Sequence, residues 1–100
     1  MWRSINESFI LYIMTTVITF GTFDLFHVGH LEILKRARGM GGRLVVGVSS
    51  DALNVSKKNK TPVYSESDRM AIVSAIQYVD EVFLEESLEK KADYIRTHGA

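Results

Sequence analysis

Leu44 to Val48 reads Leu-Val-Val-Gly-Val, a run without one polar side chain. It is far too short to span a bilayer. In a chain that is 24% charged, such a run needs cover on both faces, and a strand covered on both faces belongs to a parallel sheet packed between helices. The flanking sequence agrees. Val17-Ile18-Thr19-Phe20 is β-branched and aromatic and stops at Gly21, which predicts a second buried strand beginning as early as Thr15. Leu31, Leu34 and Ala37 recur at helical spacing with Lys35, Arg36 and Arg38 among them, predicting an amphipathic helix over 28–38 that Gly39, Gly41 and Gly42 end.

The pattern continues to the end of the chain. Ser49-Ser50-Asp51 predicts the cap of a short helix over 52–55, with Asp51 as a capping residue. Residues 56–64 read as a loop carrying Lys57, Lys58 and Lys60. Ser65 with Asp68 resembles a capping box, and the helix behind it offers Ile72, Val73, Ile76 and Val79 to the core. Asp80 marks a turn into a third strand over 81–84. Leu88, Ala92 and Ile95 mark a last helix stopped by His98-Gly99. Strand, helix, strand, helix, strand, helix is the order of a parallel α/β sheet with right-handed crossovers. The chain stops at Ala100, where a fourth strand is expected, so the reading is a domain lacking its C-terminal part. At the other end Met14-Thr15-Thr16 makes a natural start, and residues 1–13 read as an added extension.

Composition narrows the function. Lysine plus arginine equals aspartate plus glutamate at 12 each, for a formal net charge of zero, against a broad basic surface for nucleic acid. The chain has no cysteine, which excludes disulfides and thiolate metal sites and permits a reducing compartment. The most apolar run, Phe9 to Phe20, holds Tyr12 and three threonines, and no cleavage site of small residues follows it. The expected location is the cytoplasm. Trp2, Phe9 and Tyr12 take an apolar contact as their default.

The stretch Thr19 to His30, TFGTFDLFHVGH, sits where the first strand turns into the first helix. Parallel sheets bind ligands beyond the carboxyl ends of their strands. Gly21 lets the chain turn and lets a ligand approach the backbone. His27 and His30, spaced i, i+3, point to one side of a helix start, where free N–H groups and the helix dipole attract phosphate. Gly29 leaves room for a flat ring against the helix. Asp24 can orient a histidine, stand near a magnesium ion, or cap the turn. The two histidines as a zinc pair need a third ligand, and His98 is the remaining histidine. Arg69 is a cation in the first turn of its helix, against the dipole; it answers an anion, or pairs with Glu66 or Asp68.

His27-Val28-Gly29-His30 resembles the HIGH signature of the nucleotidyltransferase superfamily, and the longer GTFDLFHVGH is similar to its cytidylyltransferase family, above all the glycerol-3-phosphate branch. LVVGVSSD at 44–51, the lysine loop at 57–60 and YSESDRMAIVSAIQYVDEV at 64–82 resemble segments of that family too, so the likeness runs from about Thr16 to Ala100. It implies a Rossmann-like domain whose N-terminal part is residues 14–100. The implied activity is transfer of a cytidylyl group from CTP to a small phosphorylated alcohol, glycerol 3-phosphate first, with Mg2+ as cofactor and a homodimer as the assembly. His27, His30, Lys57 and Arg69 take catalytic roles by this resemblance. Gly21, Thr22, Phe23, Asp24, His27, Gly29, His30 and Lys60 take nucleotide-binding roles.

The departures are specific. The lysine loop is one residue longer than in that branch, so Lys58 and Lys60 both stand where its second lysine falls. The family's Gly-Asp-Asp segment and its Arg-x-x-Gly-(Ile/Val)-Ser-Thr segment do not occur in the chain. Alternatives stay open: another acceptor (phosphoethanolamine, phosphocholine, a sugar phosphate, flavin mononucleotide), ATP in place of CTP, a nucleotide-binding fragment inactive alone, or a fragment of an aminoacyl-tRNA synthetase.

Overall fold

The computed structural model describes residues 2–100, with side chains from residue 7 onward; Met1 and the side chains of Trp2 and Arg3 fall outside it. The elements are α1 (Trp2–Met14), β1 (Thr16–Gly21), α2 (Val28–Arg38), β2 (Arg43–Ser49), α3 (Asp51–Lys58), α4 (Glu66–Ser74), β3 (Glu81–Glu85), a 3-10 turn (Leu88–Lys90) and α5 (Lys91–Thr97). The three strands form one parallel sheet in the order β1-β2-β3. The apolar run over 44–48 is therefore its middle strand, and every residue of β2 after Arg43 is buried. This is a Rossmann-like α/β arrangement.

Side chains alternate between the two faces of the sheet. One face carries the main core: Leu44, Val46 and Val48 of β2 pack with Leu34 of α2, Val73 of α4 and Phe23, and Val17, Met70, Ile76 and Val82 join them. The opposite face is aromatic. Phe20 of β1 and Phe83 of β3 stand in register on either side of Gly47 and meet edge to face at 5.9 Å. A Cβ at Gly47 would fall 2.7 Å from the Phe83 ring and 2.8 Å from the Phe20 ring. The run must be interrupted by glycine for the rings to close over it. Tyr94 of α5 and His98 finish the cluster, their rings 5.1 and 4.4 Å from that of Phe83.

The structure departs from the sequence reading in four places. The helix expected over 52–55 runs over Asp51–Lys58, because Ser50 caps it and Asn59, at φ 52°, ends it with a hydrogen bond to Val55 O. Asparagine tolerates that left-handed conformation better than most residues. Lys57 and Lys58 are thus helical, not loop. Asp51 is the first residue of the helix and not its cap. The helix after Ser65 ends at Ser74, while Ile76 and Val79 reach the core from the turn beyond it. Residues 2–14 form a helix whose Phe9, Leu11 and Met14 are all more than half exposed. It is tied at its base, where Gly42 N–H donates to Thr15 O at 3.0 Å. Its projection raises the radius of gyration to 15.2 Å, above the ~13 Å of a compact 100-residue domain.

Candidate nucleotide-transfer site

The site begins where β1 ends. Gly21 has an ordinary negative φ; the left-handed positions in the turn are Phe23 at 55° and Leu25 at 50°. Such values are uncommon for bulky side chains and persist where surroundings enforce them. The Phe23 ring supplies that enforcement: it is 5% exposed and lies so close over Gly21 that a Cβ there would come within 2.7 Å of it. Gly21 is needed for ring packing, and the turn is made by the residues after it.

Asp24 fixes this turn to the segment behind the lysines. Its carboxylate accepts from Val63 N–H at 2.7 Å, Tyr64 N–H at 2.9 Å and its own neighbour Leu25 N–H at 3.1 Å. Burial opposes its charge, but these three bonds and the Arg69 charge outweigh that and hold the carboxyl below its ordinary range. Of the three roles open from sequence, capping the turn is the one seen, extended into a latch across the chain. Neither histidine hydrogen-bonds to Asp24 among the described contacts.

His27 and His30 cap α2 reciprocally. His27 Nδ1 accepts from Gly29 N–H at 3.0 Å, and His30 Nδ1 accepts from His27 N–H at 3.1 Å. The rings lie 4.0 Å apart. A neutral imidazole has one donor nitrogen and one acceptor. With both Nδ1 atoms accepting, each neutral ring carries its proton on Nε2. Burial, then the neighbouring His27, push the His30 pKa down, and Asp24 opposes them. His30 is therefore poised as a neutral N–H donor beside the free N–H groups of a helix start. Gly29 has a different partner from the one expected: the His27 ring itself lies over it, 2.6 Å from where a Cβ would stand.

A cleft of about 420 Å³ opens beside these groups, within the usual range for small-ligand sites. Gly21, Thr22, Phe23, Asp24, His30 and Lys60 line it, as do Phe20, Ile33, Asn54, Lys58 and Pro62. The structure thus gathers most of the candidate residues and adds Lys58, whose Nζ stands 3.4 Å from Thr22 Oγ1. Asn54, 2% exposed, was missed from sequence. It accepts from Thr22 at 2.9 Å and donates to Ser49 Oγ at 2.8 Å and Ser50 O at 2.9 Å, which fixes the Thr22 hydroxyl. Its one sequence signal was a polar residue on the buried side of a short helix.

Four candidates do not line the cleft: His27 and Gly29 stand beside it at the start of α2, next to His30, and Lys57 and Arg69 stand elsewhere. Lys57 is not in the cleft wall; burial, then Lys58, lower its pKa, with Glu85 raising and Lys91 lowering it. Arg69 requires a correction. It is fully buried and meets protein at every nitrogen: Nε donates to Tyr64 O at 3.0 Å, one terminal nitrogen to Thr22 O and Ser49 O at 2.8 and 2.7 Å, the other to Asp51 at 2.6 Å. It cannot touch a phosphate in this arrangement. The anion it answers is Asp51, not Glu66 or Asp68, and it ties together the ends of β1 and β2 and the loop before α4. Asp51 and Glu66 further accept from each other's backbone N–H at the starts of α4 and α3.

The zinc reading does not survive. His98 Nδ1 contacts Glu81 Oε2 at 2.6 Å at the opening of β3, away from α2, and no three potential ligands cluster among the described residues. No helix of the described residues is long and apolar enough to cross a membrane.

A helix start with two Nε2 donors, a lysine-bearing segment and a cleft beyond a parallel sheet define a class of phosphate-handling α/β proteins. The chain belongs to the cytidylyltransferase-like family: the family model described as Cytidylyltransferase-like matches residues 18–100. It is 45% identical over 86 residues to glycerol-3-phosphate cytidylyltransferase of Bacillus subtilis strain 168, covering 86% of this chain and 66% of that protein. It is 44% identical over 85 residues to the enzyme of the same name from Bacillus spizizenii, covering 85% of this chain and 65% of that one. The chain thus spans just under two thirds of those relatives' length. The crystal structure of the lipopolysaccharide core biosynthesis protein from Thermoplasma volcanium GSS1 aligns with a TM-score of 0.74 at 29% identity, covering 82% of this chain and 66% of that one.

Proposed function

We propose that the chain carries the phosphate-handling part of a cytidylyltransferase that moves a cytidylyl group from CTP to glycerol 3-phosphate. The observation that carries the reading is the pair of histidines whose Nδ1 atoms are spent on the backbone, leaving two Nε2–H donors at the start of α2. In the reaction, an acceptor phosphate oxygen attacks the α-phosphorus of CTP. The new P–O bond forms as the bond to the bridging oxygen breaks, and that oxygen leaves with pyrophosphate. No covalent enzyme intermediate and no protein proton are required, so the work is positioning and charge stabilisation. His27 and His30 donate to the triphosphate as charge builds on it. Lys58 and Lys60 neutralise its outer oxygens as point charges. Thr22 and the strained backbone of Phe23 shape the floor. Arg69 and Asp24 hold that floor and the lysine segment in register.

Mg2+ belongs to this reading as a companion of the nucleotide. The described residues offer no carboxylate set for it, since Asp24 is engaged by three backbone N–H groups. It would come with the nucleotide and would supply neutralisation of the phosphate charge. The cytoplasm, where CTP is made, and a homodimer complete the proposal.

The test is product analysis. The chain is incubated with magnesium and either CTP or ATP, each with glycerol 3-phosphate, phosphoethanolamine or flavin mononucleotide, and products are weighed by mass spectrometry. CDP-glycerol as the dominant product is expected. Dominance of another pair reassigns the acceptor or base, and no nucleotide-containing product from any pair overturns the transferase reading for this chain.

A further inference from the structure

Asn54 is buried on α3, one helical turn before Lys58, and residues four apart share a helix face. Its amide has one orientation. Nδ2 donates to Ser50 O at 2.9 Å, and a carbonyl oxygen only accepts, so the nitrogen must face that way. The second Nδ2 proton goes to Ser49 Oγ at 2.8 Å. Oδ1 is left facing Thr22 Oγ1 at 2.9 Å, and the Thr22 hydroxyl supplies the proton of that bond. Ser49 is fully buried and spends its own proton on Thr22 Oγ1 at 3.1 Å.

This count limits what Thr22 can offer a ligand. A hydroxyl has one proton and two lone pairs. The Thr22 proton is committed to Asn54 and one lone pair to Ser49. The other lone pair meets the ammonium of Lys58 at 3.4 Å. Ionised phosphate oxygens accept hydrogen bonds, so a hydroxyl with no proton to give does not bind them. Thr22, Asn54 and Lys58 all line the cleft. Of these three side chains, Lys58 is the one with donors to spare, since an ammonium has three and Thr22 takes one. Lys57 is turned about 100° around the helix from Lys58 and does not line the cleft.

We propose that Asn54 is a positioning residue for Lys58. By taking the Thr22 proton it makes Thr22 Oγ1 an acceptor, and that acceptor seats the Lys58 ammonium on the cleft floor. The remaining ammonium donors then face the phosphates of a bound nucleotide. The Thr22 side chain acts on the nucleotide through Lys58 and not through a hydroxyl bond of its own. The same network selects Lys58 over its neighbour Lys57 as the cation of the floor. The inference rests on the transferase reading above and deepens it.

The test is a double-mutant cycle on nucleotide binding, read by titration calorimetry of the whole chain with CTP and magnesium. T22V keeps the shape of the side chain and removes the hydroxyl. It is expected to weaken CTP binding about 3- to 10-fold, the size of one net hydrogen bond, and T22S is expected to restore it. K58M is expected to weaken binding at least as much. The double variant T22V/K58M is expected to bind no more weakly than K58M alone, because the hydroxyl has no route to the ligand once the ammonium is gone. N54L is expected to behave as T22V does in both backgrounds. Should N54L fail to fold, T22V and T22S decide. Unchanged binding in T22V overturns the proposal. So do losses that multiply in T22V/K58M, which a direct hydroxyl contact or a general loosening of the floor would give. A wild-type chain that binds no CTP overturns it as well. A chain that binds CTP in the expected pattern but releases no pyrophosphate supports this inference and fails the transferase reading alone.

Discussion

His27 and His30 each use one ring nitrogen for the fold and present the other. Replacing His30 with alanine removes an Nε2 donor and the acceptor for His27 N–H together. The transfer rate is expected to fall on the order of 10²–10³-fold, as for removal of one oxyanion-hole donor, and steady-state kinetics at saturating CTP measures it. The lowered His30 pKa sets the acid limit. Below that pKa Nδ1 gains a proton and can no longer accept from His27. Since the unfolded imidazole, near 6.5, binds the proton before the folded one does, stability falls as pH drops below about 6.5 and levels off once the folded-state pKa is passed. An NMR titration of His30 with a midpoint above the free value would contradict this. Asp24 carries the opposite chemistry with the same direction. Its carboxyl is held low in the fold, so its contribution is present above the unfolded value of about 3.9 and is lost as pH falls through the folded one. Asp24→Ala frees Val63 and Tyr64, and faster amide exchange at those residues is the expected signature. The histidine pair was legible because its spacing and place after a strand are local facts. Arg69 was not: a sequence shows its charge but not that three carbonyls and Asp51 surround it.

At the scale of elements, β2 dictates the arrangement. A seven-residue strand buried from Leu44 onward requires a partner on each edge and cover on each face. The sequence order supplies these as β1 and β3 on the edges, α2 and α4 on one face, and Phe20, Phe83 and Tyr94 of α5 on the other. Gly47 shows how tightly the second face is built. Gly47→Val would drive a Cβ and its two methyl groups into the Phe20 and Phe83 rings, and overpacking of that kind costs about 1–3 kcal/mol, read as a lower denaturant midpoint. Arg69→Met removes a buried cation from Asp51 and from three strand-end and loop carbonyls. The Asp51 side chain is itself 38% exposed, so the main cost is the unpaired carbonyls, about 1–3 kcal/mol, and the Tyr64 segment is expected to disorder. Strands and long helices were readable from apolar runs and helical spacing. The extent of α3 was not, because its last turn is polar and depends on Asn59 taking a left-handed conformation. Its extra turn makes both lysines helical and puts Lys58, not Lys57, on the cleft wall.

On the scale of the whole molecule, the ligand-facing groups all gather at one end of the sheet. Phe20, Thr22, Ser49 and Glu85 close the three strands, and α2, α3 and the lysine segment rise beside them. The projecting α1 lies at the other end. Its described apolar residues, Phe9 to Met14, are exposed and are not among the main core, so deleting residues 2–13 is expected to leave the thermal midpoint within a few degrees, a shift of about 1 kcal/mol or less. Loss of a cooperative transition would show that α1 supports the sheet. The most direct check on the central claim is pyrophosphate release from CTP with glycerol 3-phosphate, measured for the wild-type chain and for H27A and H30A side by side. The account predicts release that requires the acceptor and falls by about 10²-fold or more in either variant. Release that persists at the wild-type rate in both variants would contradict it.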